Sequence, residues 1–279
     1  MDISPDDFPE IRWNGHWIWL GETEIPMGSP AGWDRKPRAP QHGLFRRQFD
    51  LETVPERVPA RITADSRYML FVNGQRIGYG PIRGHYRRLS YDMYDLAPYL
   101  LAGENTIAVL VKYHGRATSD WMPSVGNARL GKTGVLVFEA NLGEDWLVSD
   151  EHWRTAAGQG WLDDAHDPKT PEVVAGVPVE SFDARLTDRN WIDPDFDDAA
   201  WQPAQKIVAV HFGARGRSQP PTDPYGPLLP SPLAHLSGDR MRPVNALAQI
   251  HSSAPDLSAI GPAARVEAAI ASVGEPKEQ

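Results

Sequence analysis

Two short segments gather the side chains best suited to hold a neutral, polyhydroxylated ligand. Arg83, His85 and Tyr86 follow an Asn-Gly turn, and His114, Arg116, Asp120 and Trp121 follow a run rich in β-branched residues. Guanidinium, imidazole and indole groups are planar, so they stack on a pyranose face or fork hydrogen bonds to ring hydroxyls. Loops at the end of a β-sandwich are where such binding usually sits. The same composition would also suit an interdomain surface.

Other chemistries find less support. Glycoside hydrolysis needs two carboxylates at a set separation. Asp92, Asp95, Glu104, Asp120, Glu139, Asp150 and Glu180 are scattered over turns and strand ends, and no spacing selects a pair. No catalytic residue is assigned. In "DPDFDDAAW" (193–201), Asp193, Asp195 and Asp197 occupy the first, third and fifth positions of a calcium loop. The sixth residue is Asp198 and the twelfth Ala204, where an EF-hand needs Gly and Glu. The expectation is that Asp197 or Asp198 caps a one-turn helix that presses Trp201 into the core. No cofactor is expected, although a calcium site of another kind stays open. "GYGPIRG" (78–84) is not a phosphate loop, because its glycine spacing is wrong and no helix opens after it. Its glycines are read as allowing tight turning. G-x-S-x-G does not occur, so no serine nucleophile elbow is present.

The elements that must position these loops are short strands. "LFRRQFDL" (44–51) alternates weakly. "ARITADSRYMLFVNGQRIGYG" (60–80) holds a strand, an Asn73-Gly74 hairpin and its return, the strongest short-range hairpin signal. Tyr68, Leu70 and Val72 point to one side and Met69 and Phe71 to the other. A strand apolar on both faces belongs in mid-sandwich or beneath a covering layer. Further strands are expected at 87–95, 102–115, 133–142, 146–156, 178–186 and 206–212, with a helical turn in "DLAPYL". This pattern indicates an all-β fold, an antiparallel sandwich or jelly roll. Residues 1–40 read as an irregular Trp-rich arm that docks through Trp13, Trp17 and Trp19, and 41–212 as the sandwich. Residues 213–279 read as a Pro-rich extension with a short helix at 261–273.

Composition narrows the partners. The 279 residues are 41% apolar, enough for a large core, and carry a net charge of −9, which argues against nucleic acid. No run of 18 apolar residues exists, so no membrane partner is expected. The N-terminus lacks the basic and apolar regions of a secretory signal. With no cysteine, disulfides and Cys-ligated zinc are excluded. The cytoplasm is the simplest compartment, and loss of an export signal from a periplasmic or secreted protein would leave the same sequence. Ten tryptophans suit either sugar stacking or core packing.

Taken in order, "ITADSRYMLFVNGQRIGYGP" and "LSYDMYDLAPYLLAGENTIAVLVKYHG" resemble the N-terminal β-sandwich of bacterial α-L-rhamnosidases. "WIWLGE", "VSDEHWR", "ESFDARL" and "WIDPDFDDAAWQPA" extend the resemblance over residues 13–240. It implies a galactose-binding-like jelly roll that belongs to a multidomain hydrolase of terminal α-L-rhamnose. In that family the catalytic glutamates stand in a later (α/α)6 barrel, and fewer than 40 residues follow position 240 here. The expectation is thus a detached front end, whether a truncated gene product or an independent module, non-catalytic by itself. Its partners would be a rhamnoside-type glycan, held weakly, or a catalytic domain in cis or trans. "GPIRGHYRRLS" departs from the family's commoner "PGWTDY" loop. Some relatives of the module bind rhamnose through calcium, and no ligand set for it is matched in this sequence.

Overall fold

The computed structural model describes residues 3–21, 41–115, 130–162, 181–211 and 214–235. The chain divides into two compact units, 1–236 and 237–279. The second, with the helix expected at 261–273, lies outside the described residues.

The first unit is built from strands β1 (Ile18–Trp19), β2 (Gln41–Leu51), β3 (Pro59–Asp65), β4 (Arg67–Val72), β5 (Gln75–Gly80), β6 (Ser90–Asp95) and β7 (Gly103–Tyr113). β8 (Val135–Asn141), β9 (Trp146–Val148) and β10 (Arg154–Ala157) follow. Short pieces complete it: β11 (Trp161–Leu162), β12 (Ser181–Phe182), β13 (Gln202–Pro203), β14 (Gln205–Lys206), β15 (Ala209–His211), β16 (Ala214–Arg217) and β17 (Leu229–Pro230). Helical structure among the described residues is limited to 3-10 turns of three or four residues, one of them at Ala97–Tyr99 within "DLAPYL". None is long and apolar enough to cross a membrane.

Two sheets face each other. The first runs β14-β1-β8-β3-β6-β17, with β9 beside β8, and the second β13-β10-β2-β7-β4-β5. Every pairing in them is antiparallel except β17, which lies parallel to β6. The chain changes sheets between Asp65 and Arg67, so "ITADSRYMLFV" is two strands on opposite layers. Cross-strand partners share a face. Ile62, opposite both Phe138 and Asp92, therefore points inward, whereas Arg61, opposite Glu139, points outward.

The hairpin forms as its sequence demands. Asn73 (φ 48°) and Gly74 (φ 77°) both take positive φ, which a type I′ turn requires. Asn73 Oδ1 accepts the Thr106 amide and its Nδ2 donates to Asn105 Oδ1, fastening the turn to β7. Tyr68, Leu70 and Val72 enter the main core, while Phe71 faces a second cluster with Leu44, Ala108 and Trp191. Both faces of β4 are thus covered, one by the opposite sheet and one by the segment 189–201.

An irregular segment laid across a sheet carries carbonyls that have no ladder partner, and each buried one needs a donor. Each sheet supplies that donor as a buried arginine. On the second sheet Arg46 pairs with Asp198 Oδ2 at 2.9 Å and also donates to the carbonyls of Trp191, Asp193 and Phe196. On the first, Arg61 pairs with Glu139 at 2.6 Å and donates to the Arg12 carbonyl. Its guanidinium lies 4.3 Å from the Trp13 ring and 4.7 Å from Phe8. Glu139 Oε2 accepts the amides of Asn14 and Gly15. The arm is so fixed that Trp13, Trp17 and Trp19 are all within the core. Tyr225, from the proline-rich stretch, joins them against Trp17 at 4.9 Å.

Two local expectations are corrected. The short helix of "RNWIDPDFDDAAW" lies at Arg189–Ile192 and is capped by Asp188. Asp197 instead closes a turn onto the Ala199 amide, and Asp198 is drawn away by Arg46, so Trp201 packs in the outer cluster and not in the main core. Gly78 and Gly80 do not turn the chain. They lie inside β5, where a Cβ would stand 2.3 Å from the Tyr94 hydroxyl and 2.0 Å from Asp92 Oδ2.

Arg61→Met leaves Glu139 buried without its charge partner and should cost about 3–5 kcal/mol in urea unfolding. A loss under about 1 kcal/mol would mean that apolar contact alone holds the arm.

Candidate functional site

β4 begins at Arg67 opposite Lys112, and β5 ends at Gly80 opposite Tyr68. The loops that leave β5 and β7 therefore emerge at one end of the sandwich, and the structure brings Arg83, His85, Tyr86 and His114 to that end. Their exposure differs. Arg83 and His85 are exposed, Tyr86 is buried in the main core, and His114 is 3% exposed. The His85 ring stacks on Tyr86 at 4.4 Å, and its Nδ1 accepts the Arg87 amide to cap the 3-10 turn Tyr86–Arg88. The His114 amide donates to Ser66 Oγ, which in turn donates to Asp65 Oδ1. Tyr225 donates to the other Asp65 oxygen at 2.7 Å. Arg116, Asp120 and Trp121 lie outside the described residues.

A second feature opens on the side of the sandwich. β5 is the edge of one sheet, and β6 with β17 the edge of the other, and between them lies a cleft of about 230 Å³. Tyr79, 54% exposed, stands on one wall, and Ser231, Leu233 and His235 on the other. The alternation of β5 explains this: Gly78 and Gly80 face inward and make room, so Tyr79 between them faces out.

Asp92 lines the cleft and is 4% exposed. The Tyr68 hydroxyl donates to its Oδ2 at 2.5 Å and lies 3.0 Å from the Tyr94 hydroxyl. Burial pushes both tyrosines up, so each stays a neutral hydroxyl. Burial also pushes the Asp92 carboxyl above its ordinary range, against the Tyr68 hydrogen bond that pulls it down. The His235 ring stacks on Tyr94 at 4.3 Å, and its Nε2 lies 2.6 Å from the Met93 carbonyl. A carbonyl accepts only, so Nε2 carries the hydrogen and, in the neutral ring, Nδ1 is the acceptor.

Asp92 is the one carboxylate in the cleft lining. Of the other strongly buried acids, Glu139 is engaged by Arg61 and the arm, and Asp65 by Ser66 and Tyr225. The cleft lining itself holds no second carboxylate for the acid and base pair that glycoside hydrolysis uses. Among the described residues no group of three or more His, Cys, Asp or Glu is placed to hold a metal ion.

Sequence reasoning missed Asp92 and Tyr79 as members of one site. The available signal was Gly-Tyr-Gly inside a strand, where missing side chains mean close approach of another group.

Two facing sheets with covered outer faces and an open side cleft define an all-β sandwich module. The chain belongs to the α-L-rhamnosidase N-terminal domain family, whose model matches residues 54–223. An α-L-rhamnosidase of Streptomyces avermitilis is 26% identical over 212 residues, covering 73% of this chain and 15% of that protein. The solved GH78 family rhamnosidase of Bacillus sp. GL1 is 32% identical with a TM-score of 0.60, over 78% of this chain and 20% of its own. The α-L-rhamnosidase from Dictyoglumus thermophilum shares the fold, with a TM-score of 0.54 at 23% identity over 78% of this chain and 22% of its own. The chain spans 15% to 22% of the length of these relatives.

The proton on Asp92 is linked to folding. The folded state retains it where the unfolded chain, with a carboxylate value of about 3.9, releases it. This contribution to stability is full below the unfolded value and is lost as pH rises through the raised folded one. Asp92→Asn should therefore flatten the fall in stability above pH ~4 in thermal melts. Parallel profiles for the two proteins from about pH 4 to 8 would show that this proton is not linked.

Proposed function

We propose that the chain is a non-catalytic, carbohydrate-associated module of an α-L-rhamnosidase-like glycoside hydrolase that holds rhamnose or a related sugar weakly. The observation that carries this reading is membership of the family over residues 54–223, joined to a cleft with one carboxylate and not two. Arg83 and His85, exposed at the loop end, and Arg116, Asp120 and Trp121 in the same segment of chain as His114, supply groups that fork or stack on sugar. A single pyranose in an open site binds at about millimolar strength, near −4 kcal/mol.

A second reading is favoured by the share of the relatives that this chain spans, 15% of the Streptomyces protein. In it the sandwich is a structural element that packs against a catalytic domain, in cis or in trans.

Isothermal titration with L-rhamnose, with and without calcium, separates the two. The sugar reading expects saturable heats at millimolar concentration. Flat heats in every condition would remove it and leave the packing role.

A further inference from the structure

We infer that β5 is an interface strand, which pairs antiparallel across a two-fold axis with β5 of a second copy of this chain. The inference stands apart from the sugar reading and does not depend on it.

The four sheet ends are not alike. β13, β14 and β17 are two residues long each, and they carry Pro203, Lys206 and Pro230. Shortness, proline and lysine are devices that keep an edge from pairing with another chain. β5, the fourth end, runs for six residues and has neither proline nor lysine. Its backbone is bonded on one side only. Among the described residues, no backbone group of 75–80 has a hydrogen-bond partner outside β4. Beside it lies the open cleft, not a covering strand.

The register of the hairpin sets what faces that free edge. Val72 and Gln75 close the type I′ turn and bond to each other, so Arg76 directs its N–H and C=O away from β4. Ile77 and Gly78 together oppose Leu70 as a bulge, after which the alternation resumes and Tyr79 bonds outward like Arg76. Side chains follow the same count. Arg76 lies opposite Phe71 and Tyr79 opposite Met69, so both stand on the outer face of the sheet, and both are exposed. Ile77, within the bulge, packs on the main core. A bulge commonly blunts an edge. This one instead leaves two outward-bonding residues three positions apart on one face.

That spacing is self-complementary, and this selects a second copy as the occupant. A two-fold axis between Ile77 and Gly78 sets Arg76 of each copy opposite the partner's Tyr79. The two residues then exchange backbone hydrogen bonds, and each guanidinium meets an exposed ring, an attractive contact made twice. Because the same strand serves both copies, the pairing closes at two and does not propagate. A six-residue ribbon lies at the small end of interfaces, so a weak dimer with Kd of about 10–100 µM is expected.

The test is sedimentation velocity of the full chain from about 5 to 500 µM, which brackets that range. A monomer–dimer equilibrium is expected. Tyr79→Arg sets like charges opposite one another at both ends of the pairing and should weaken the dimer at least about tenfold. Adding Arg76→Glu restores opposite charges and should restore the dimer. Both side chains are exposed, so melting temperatures should stay close to that of the parent. A monomer at every concentration would overturn the inference. A dimer indifferent to Tyr79→Arg would place the contact elsewhere and overturn it too. Loss without recovery in the double variant would overturn the register.

Discussion

A buried guanidinium on the outer face of each sheet is the constraint from which the rest of this fold follows. Sheets whose two faces are both apolar must be covered twice, and the available covers are coil, not helix. Coil buries carbonyls without giving them partners, and arginine, with five donors in a planar fork, satisfies several at once. Arg61 gathers the arm through Glu139, the Arg12 carbonyl and the Trp13 and Phe8 rings. Arg46 gathers the 189–201 segment through Asp198 and three carbonyls. Neither ion pair needs to be strongly stabilising in itself. Each makes the unpinned arrangement costly.

The covers close the faces and leave the side. A two-sheet sandwich keeps unpaired edges unless something blocks them. At the β5 edge two glycines let Tyr94 and Asp92 press inward, and on the facing edge β17 adds one parallel pairing to β6. The cleft between these edges is lined by one buried carboxyl, Asp92, which the Tyr68 hydroxyl holds beside Tyr94.

Much of this could be read from local pattern. The two-sided apolar strand around "YMLFVNGQ" announced both the hairpin and its covering layers, since a wet face would leave Met69 or Phe71 in water. The family could be read from the order of motifs. Other features could not. Arg46 and Arg61 look like ordinary strand polar residues, because solvent and a guanidinium pinning a distant segment demand the same alternation. Asp198 looked like a cap until Arg46, 152 positions away, claimed it. Gly78 and Gly80 looked like turn residues, because the side chains that exclude a Cβ there come from β6.

The sequence by itself determined the longer strands, the type I′ turn, the all-β class and the absence of any disulfide staple, since these depend on φ preferences, near-neighbour periodicity and residue inventory, whereas β1 in the arm and β17 in the proline-rich stretch exist only as sheet partners. Only the tertiary structure decided which sheet each strand joins, which charges are buried together and where a cleft stays open. Those outcomes depend on contacts between residues far apart in the chain, and local propensity carries no information about which distant group will meet which.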